Sequence, residues 1–361
     1  MRIVVVGAGY AGTFAANRLA RKLPAAEVTV LNARPEFVER VRLHQRIVGS
    51  HEASTPLSAM LRDGITARVG VVDKLGAGAA HLADGASLEF DYAFLAVGSA
   101  SRPMPGTVPV DSWEGAQRAR AALAALGAGD TVTVVGGGST GIETATEVAE
   151  ARPDLRVRLV GAAIADYFAH SARDRVLAGL ARLNVEVVAD TVVDIAERGT
   201  GAGPTAGLLR LSSGARLSSE LTLWAVVAEV PALAARSGLE VDASGRAVVD
   251  HYLRSVSDGR IFAIGDCAGV PGARFACQVA LPQASHAVDT LARLVAGRVP
   301  RPYSWRYFGQ GVSLGRKDAV NQFAYRDDTP RRAYFAGGAA ALTKEAASRG
   351  IRAVTRAGIG I

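Results

Sequence analysis

Cysteine is almost absent. The chain has two in 361 residues, Cys267 and Cys277, spaced neither as a disulfide framework nor as a C-x-x-C metal or redox pair. A disulfide scaffold is excluded, and a reducing, cytoplasmic compartment is expected. The six histidines are scattered without metal-ligand spacing, so no metal is expected. No stretch approaches the roughly 18 uninterrupted apolar residues of a membrane span. The apolar run after Arg2 is broken by Gly7, Gly9 and Gly12 and lacks a cleavage-site pattern, so it reads as a strand and turn rather than a signal peptide. Lysine is scarce too, with four among 41 cationic side chains. That arginine bias is the mark of a GC-rich genome, which makes the net charge of +7 weak grounds for a nucleic-acid partner, and none is expected. Glycine, by contrast, is abundant at 40 residues, and glycines gather where a backbone turns tightly or approaches a ligand closely.

The apolar and charged shares, 49% and 21%, describe a globular chain long enough for two domains. The β-branched run Ile3 to Val6 leads into Gly7-x-Gly9-x-x-Gly12, an Ala-rich helical segment to Leu23, and a strand from Val28 to Leu31. The same order returns as Thr131 to Val135, Gly136-x-Gly138-x-x-Gly141, a helical stretch from Ile142 to Ala151, and the strand Val157 to Val160. In such a unit the first glycine turns the chain, the second admits a pyrophosphate and the third lets the helix pack closely. The free N–H groups and dipole of the helix N-terminus then hold the phosphates. One glycine motif is weak, but two in the required strand–turn–helix–strand setting specify two dinucleotide sites. The fold class expected is α/β, with two Rossmann-like domains, one inserted in the other, and a small C-terminal element. The spans are 1–103 and 240–297 for the first domain, 106–235 for the inserted one, and 300–361 for the remainder.

An acid that binds ribose hydroxyls normally lies about 20 residues past the last glycine. Asn32 stands there in the first unit and keeps hydrogen-bonding capacity, whereas Gly161 in the second offers none. Arg156 and Arg158 lie close to the second site, but a surface role is expected of them.

These residues resemble the pyridine nucleotide-disulfide oxidoreductase superfamily of flavoproteins, over nearly the whole chain. The resemblance implies that Gly7, Gly9 and Gly12 hold the FAD pyrophosphate and that Gly98 ends the strand returning to the FAD domain. It also implies that Asp266, in Ile264-Gly265-Asp266, binds the ribityl chain or pyrophosphate of FAD. Gly136, Gly138 and Gly141 would form the NAD(P)H site. Within the superfamily the chain is most similar to type II NADH:quinone oxidoreductases and the apoptosis-inducing-factor-like group, because no cysteine precedes position 267 and a dithiol relay is excluded. Leu43-His44-Gln45 resembles the flavin-facing stretch of those reductases. Glu143 matches a glutamate near flavin and nicotinamide, and Cys277 to Gln283 resembles their quinone-site run, with Cys277 and Pro282 as departures.

The resemblance implies an enzyme in which hydride passes from NAD(P)H through FAD to a quinone or other small acceptor. His44 and Glu143 would act near the flavin, Gln278 and Gln283 near the acceptor, and the helix beginning near Pro282 would direct N–H groups at the flavin. Each has a plainer alternative: His44 as a packing histidine, Glu143 as a helix-dipole partner. Val227, where the family has glycine, is expected to narrow the nicotinamide pocket, and a flavoprotein oxidase or tailoring enzyme with a decayed nicotinamide site, or a nucleotide-sensing flavoprotein, is the alternative. Residues 331–361 carry six cations against Glu345 alone. The basic helix expected from Ala339 to Arg356 is read as packed on its own domain rather than on a membrane surface, and homodimerisation is left open.

Overall fold

The computed structural model describes residues 1–197 and 207–359; the remaining parts of the expected inserted domain and C-terminal segment lie outside them. Two five-stranded parallel sheets organise the molecule. The first runs in the order Ile261–Ala263, Tyr92–Leu95, Arg2–Val6, Glu27–Asn32, Thr66–Val69. Its central strand is covered on both faces and is correspondingly all Val and Ile after Arg2, as a doubly covered parallel strand must be. Chain order reverses at Arg2–Val6, so a crevice opens at the carboxyl ends of that strand and of Tyr92–Leu95. Gly7, Gly98 and Gly265 all follow strand ends on this edge.

The second sheet repeats the plan: Val108–Pro109, Leu221–Trp224, Thr131–Val135, Arg156–Val160, Val185–Val188, all parallel. Each unit also carries a three-stranded antiparallel meander, at residues 72–89 in the first and from Val192 to Ser219 in the second. The chain crosses between units twice, and the two crossing segments, Ala100–Ser101 and Val227–Glu229, pair antiparallel with each other. After the second crossing the chain returns to the first sheet through Ile261–Ala263.

The C-terminal element is a three-stranded antiparallel sheet, Gly309–Ser313, Ala319–Ala324 and Pro330–Ala336, followed by the helix Gly338–Ala357. Val312, Leu314 and Val320 pack into the core of the second unit, whereas Ile351 and Val354 of the helix pack on that of the first. The helix lies along Tyr10–Lys22, where the buried Asn17 amide donates to Thr355 O at 3.0 Å and Arg21 donates to Gly358 O at 3.0 Å. The element therefore bridges both units. Three cations of the helix are engaged internally, Lys344 with Glu143, Arg349 with Glu345 and Arg352 with Glu39. Leu342 remains 74% exposed. No helix among the described residues is long and apolar enough to cross a membrane.

Candidate functional site

The two glycine loops share one geometry. A Cβ on Gly12 would stand 1.9 Å from Gly7 O, and one on Gly141 would stand 1.8 Å from Gly136 O, so the third glycine is demanded by the packing of each helix on its own turn. The second glycines differ in kind. Nothing lies within 4 Å of a Cβ on Gly9 or Gly138, and both adopt extended backbone at the N-cap of their helices with no side chain capping them. Their N–H edges are left free, which is the arrangement that holds phosphate.

Around the first loop, Ala8 N donates to Asn32 Oδ1 at 3.1 Å, and the Asn32 amide donates to Arg34 O at 2.8 Å. Asn32 thus fastens the loop to the end of the neighbouring strand. Asp266 lies in the turn after Ile261–Ala263. Its carboxylate accepts from the Ser99 hydroxyl at 2.7 Å and from Ala276 N at 3.3 Å. Arg40 reaches the same corner, donating to Ser99 Oγ at 2.9 Å and Asp111 at 3.0 Å, with Asp266 3.9 Å away. Gly98, at φ 70°, makes the turn beside it. Tyr10, the first residue of the helix, is 8% exposed, and its hydroxyl is buried with no partner among the described residues. The open second glycine and the free helix N-terminus, with the Asp266 carboxylate in the adjoining turn, fit a bound dinucleotide. Asp266→Ala is expected to cut FAD affinity by roughly 10- to 100-fold, since each charged hydrogen bond contributes about 1.5 to 3 kcal/mol. Absorbance of the purified variant against wild type measures it, and full retention of flavin would remove Asp266 from the site.

The two glutamines expected on the acceptor side part company. Gln283 is 1% exposed and accepts from Gly265 N at 2.7 Å, holding the Gly-Asp turn from within. Gln278 is half-buried and donates to Gly309 O at 3.3 Å, tying the helix start to the C-terminal sheet. That helix spans Cys277–Val295, so Pro282 is its sixth residue and not its beginning. Proline favours a first turn because it lacks an N–H, which is why the sequence suggests a later start. The free N–H groups at the true N-terminus belong to Cys277 and Gln278. Cys277 is exposed there, whereas Cys267 is buried with its thiol on Leu95 O and Ile264 O, and burial raises its pKa to about 11; neither forms a disulfide.

At the second loop, a Cβ on Gly161 would come within 2.8 Å of Gly137 N. Gly161 is glycine because the following loop crosses the phosphate loop: Ala165 N donates to Gly137 O at 3.0 Å, and the Tyr167 and Ser139 hydroxyls bond at 2.7 Å. Arg158 is turned away to Glu186 and Ser218 O. Val226, not Val227, reaches toward Gly136, at 3.3 Å from its Cβ position; Val227 is 36% exposed in the crossing strand.

Glu143 is the fifth residue of the helix Ser139–Ala151, past its first turn, so it is not the helix-dipole partner the sequence allowed, and it meets residues far from it in sequence. Lys344 Nζ lies 2.8 Å from Oε1, Ser313 N donates to Oε1 at 3.0 Å, and His44 Nδ1 stands 3.8 Å from Oε2. Burial works to raise its pKa, but the Lys344 ammonium, His44 and the backbone bond outweigh it and hold the carboxyl below its ordinary value. Burial also pushes the His44 pKa down to about 4, so the ring is neutral near pH 7. Next to this cluster, Arg42 binds Glu345 bidentately at 2.9 and 3.0 Å, and Arg316 spans Glu147 at 3.0 Å and Glu345 at 3.2 Å. Hydrogen bonds led by that from Arg42 lower the Glu345 pKa to about 2. Lys344, Arg40 and Ser313 are site residues that sequence reasoning missed. One signal was available, because Lys344 is one of only four lysines where arginine is the default cation.

The sequence pattern of the family described as pyridine nucleotide-disulphide oxidoreductase matches residues 1–290. An NADH dehydrogenase-like protein of Mycobacterium tuberculosis is 32% identical over 295 residues, 74% of this chain and 72% of the relative. Human ferroptosis suppressor protein 1 is 26% identical over 333 residues, covering 90% and 89%. Among solved structures, the sulfide:quinone oxidoreductase of Aquifex aeolicus superposes with a TM-score of 0.81 at 17% identity over 99% of this chain and 92% of that one, a likeness of fold. With two dinucleotide loops, a Gly-Asp turn and no redox disulfide, the chain belongs to the pyridine nucleotide-disulphide oxidoreductase family, as an FAD-dependent NAD(P)H:acceptor oxidoreductase.

Proposed function

We propose that the acceptor is a quinone-type small molecule, reached from the side of the Cys277 helix start, and that the nicotinamide binds over the second glycine loop. The observation that carries this reading is the pair of matching loops, each with its second glycine open and its helix N-terminus free. When bound, FAD supplies the carrier that accepts hydride from the nicotinamide and passes two electrons onward. The protein's own part is to bind, orient and set charge. Gly9 and Gly138 admit the two pyrophosphates, while Asn32 and Gln283 hold the loop and turn that shape the first site. Asp266, backed by Ser99 and Arg40, takes ribityl or phosphate contacts. Gln278 offers its amide at the acceptor side. His44 and Glu143, fixed by Lys344, keep a neutral base, an anion and a cation within one largely buried junction between the units, where oriented charge is worth more than in water. The absence of any thiol pair supports direct transfer to the acceptor without a protein disulfide. Two free cysteines likewise support a reducing, cytoplasmic setting.

Anaerobic mixing with NADH or NADPH at about 1 mM, the top of the usual KM range, should bleach the flavin within seconds. Discrimination between the two is expected to be poor, because neither an acid nor a free arginine occupies position 161. Failure of both nucleotides to bleach the flavin would mean that the second loop no longer serves a nicotinamide.

A further inference from the structure

The loop that follows the strand Arg156–Val160 lies across the second phosphate loop. A Cβ on Gly137 would stand 1.9 Å from Ala163 O, so the two loops meet backbone to backbone. The crossing loop is fastened on both sides of Tyr167. Ile164, Ala165 and Phe168 are buried, Arg173 donates to Ile164 O at 2.8 Å, and Ala169 N donates to Gln322 Oε1 at 2.8 Å. Ala165 takes the left-handed conformation at φ 52°, a strain that persists only where the surrounding structure fixes it.

Between these anchors, the half-buried Tyr167 sets its hydroxyl 2.7 Å from Oγ of Ser139, the first residue of the helix whose N-terminus is free. Neither hydroxyl has another hydrogen-bond partner among the described residues. Two hydroxyls that share one bond spend one O–H on it and keep the other. The spare donor stands beside the open Gly138 and the free N–H groups of the helix, where an anion is held. Burial raises the pKa of the phenol above its ordinary value, so it keeps the proton it would donate. The charges that reach it include Glu143 of the second helix and Arg274 of the first unit, which sets it at the junction of the units.

We infer that Tyr167 is a pyrophosphate ligand of the second nucleotide site: Ser139 donates to the phenol oxygen, and the phenol donates to the pyrophosphate of the bound dinucleotide. The inference rests on the reading that a nicotinamide dinucleotide occupies the second loop. Ser139 is a positioning residue, orienting the phenol and polarising its O–H, since a hydroxyl that accepts a bond donates more strongly. The pyrophosphate is common to NADH and NADPH, so Tyr167 strengthens both alike, in keeping with the poor discrimination expected at position 161. The glycine motif provides backbone donors; a side chain from the next loop adds one that no spacing within Gly136 to Gly141 announces.

Calorimetric titration of the full FAD-loaded chain with NAD⁺ and with ADP-ribose tests this. ADP-ribose keeps the pyrophosphate and lacks the nicotinamide ring. Tyr167→Phe keeps the ring that packs on Phe168, with centroids 4.6 Å apart, and removes only the hydroxyl. It should weaken both ligands by the same factor, roughly 10- to 100-fold, the range for a hydrogen bond to a charged group. Ser139→Ala should weaken them less, and the double variant should bind no more weakly than Tyr167→Phe alone, because Ser139 acts through the phenol. Unchanged affinity for both ligands in Tyr167→Phe overturns the assignment. Loss confined to NAD⁺ overturns it as well, because the phenol then meets the nicotinamide end. A double variant weaker than Tyr167→Phe overturns the chain from Ser139 through Tyr167, since the serine then binds on its own. If the wild type binds neither ligand, the nicotinamide reading of the second loop falls, and the assignment falls with it.

Discussion

Replacing Lys344 with Met is expected to lower stability by about 3 kcal/mol near pH 7, the low end for breaking a buried ion pair. The reason is the carboxylate left behind. Glu143 is buried, and Lys344 is the nearest charge that keeps it ionised. In the wild type its folded pKa lies below the unfolded value of roughly 4.3, so its contribution is present above that value and is lost as pH falls through the folded pKa. In the variant, burial acts with less opposition and the folded pKa rises above the unfolded one. The penalty is then full at high pH and disappears as pH falls toward roughly 4.3. His44, lowered to about 4, loses stability in both chains between its unfolded value near 6.5 and that pH, and this largely cancels in the comparison. Urea unfolding of both proteins at about pH 8 and about pH 5 reads the effect. The stability gap should narrow on acidification, and a gap of constant size would show that Lys344 does not set the charge of Glu143.

The second large effect separates the two nucleotide sites. Gly9→Val and Gly138→Val introduce side chains where the protein has no atom within 4 Å and where the backbone suits any residue, so both variants should fold. Each side chain would occupy space left for a pyrophosphate. Gly9→Val is expected to weaken FAD binding at least about 100-fold, equivalent to about 2.8 kcal/mol, and to be purified colourless. Gly138→Val should remain yellow yet resist bleaching by NADH. Gly12→Ala provides the contrast, since its Cβ would lie 1.9 Å from Gly7 O and the helix itself must shift. Thermal unfolding of the flavin-free proteins distinguishes a lost ligand from a lost fold. A Gly138→Val protein that bleaches at the wild-type rate would remove the second loop from the nicotinamide site.

The junction explains why the basic tail is no surplus. Lys344 and Arg352 neutralise Glu143 and Glu39, which are buried in different units, and Glu345 accepts from Arg42 and Arg316. Removing the helix would expose or orphan charges on both sides, so the C-terminal element is part of the site's architecture rather than an appendage.

What the sequence by itself determined was local. Strand, tight turn and helix N-terminus are properties of consecutive residues, so Ile3 to Gly12 and Thr131 to Gly141 announce two dinucleotide loops by their own backbone requirements. The early absence of cysteine is equally plain without a structure. What only the tertiary structure decided depends on residues distant in the chain. Position 161 is glycine because Gly137 N stands where its side chain would be, not because an acid was lost. Gln283 faces Gly265, and the helix containing it starts at Cys277, because packing overrides the preference of Pro282 for a first turn. Glu143 acquires its ionised state from Lys344, 201 positions further along, and no periodicity or spacing records that meeting. Charge state follows from burial and from the neighbour at 2.8 Å, and both exist only once the two units and the C-terminal element have closed on one another.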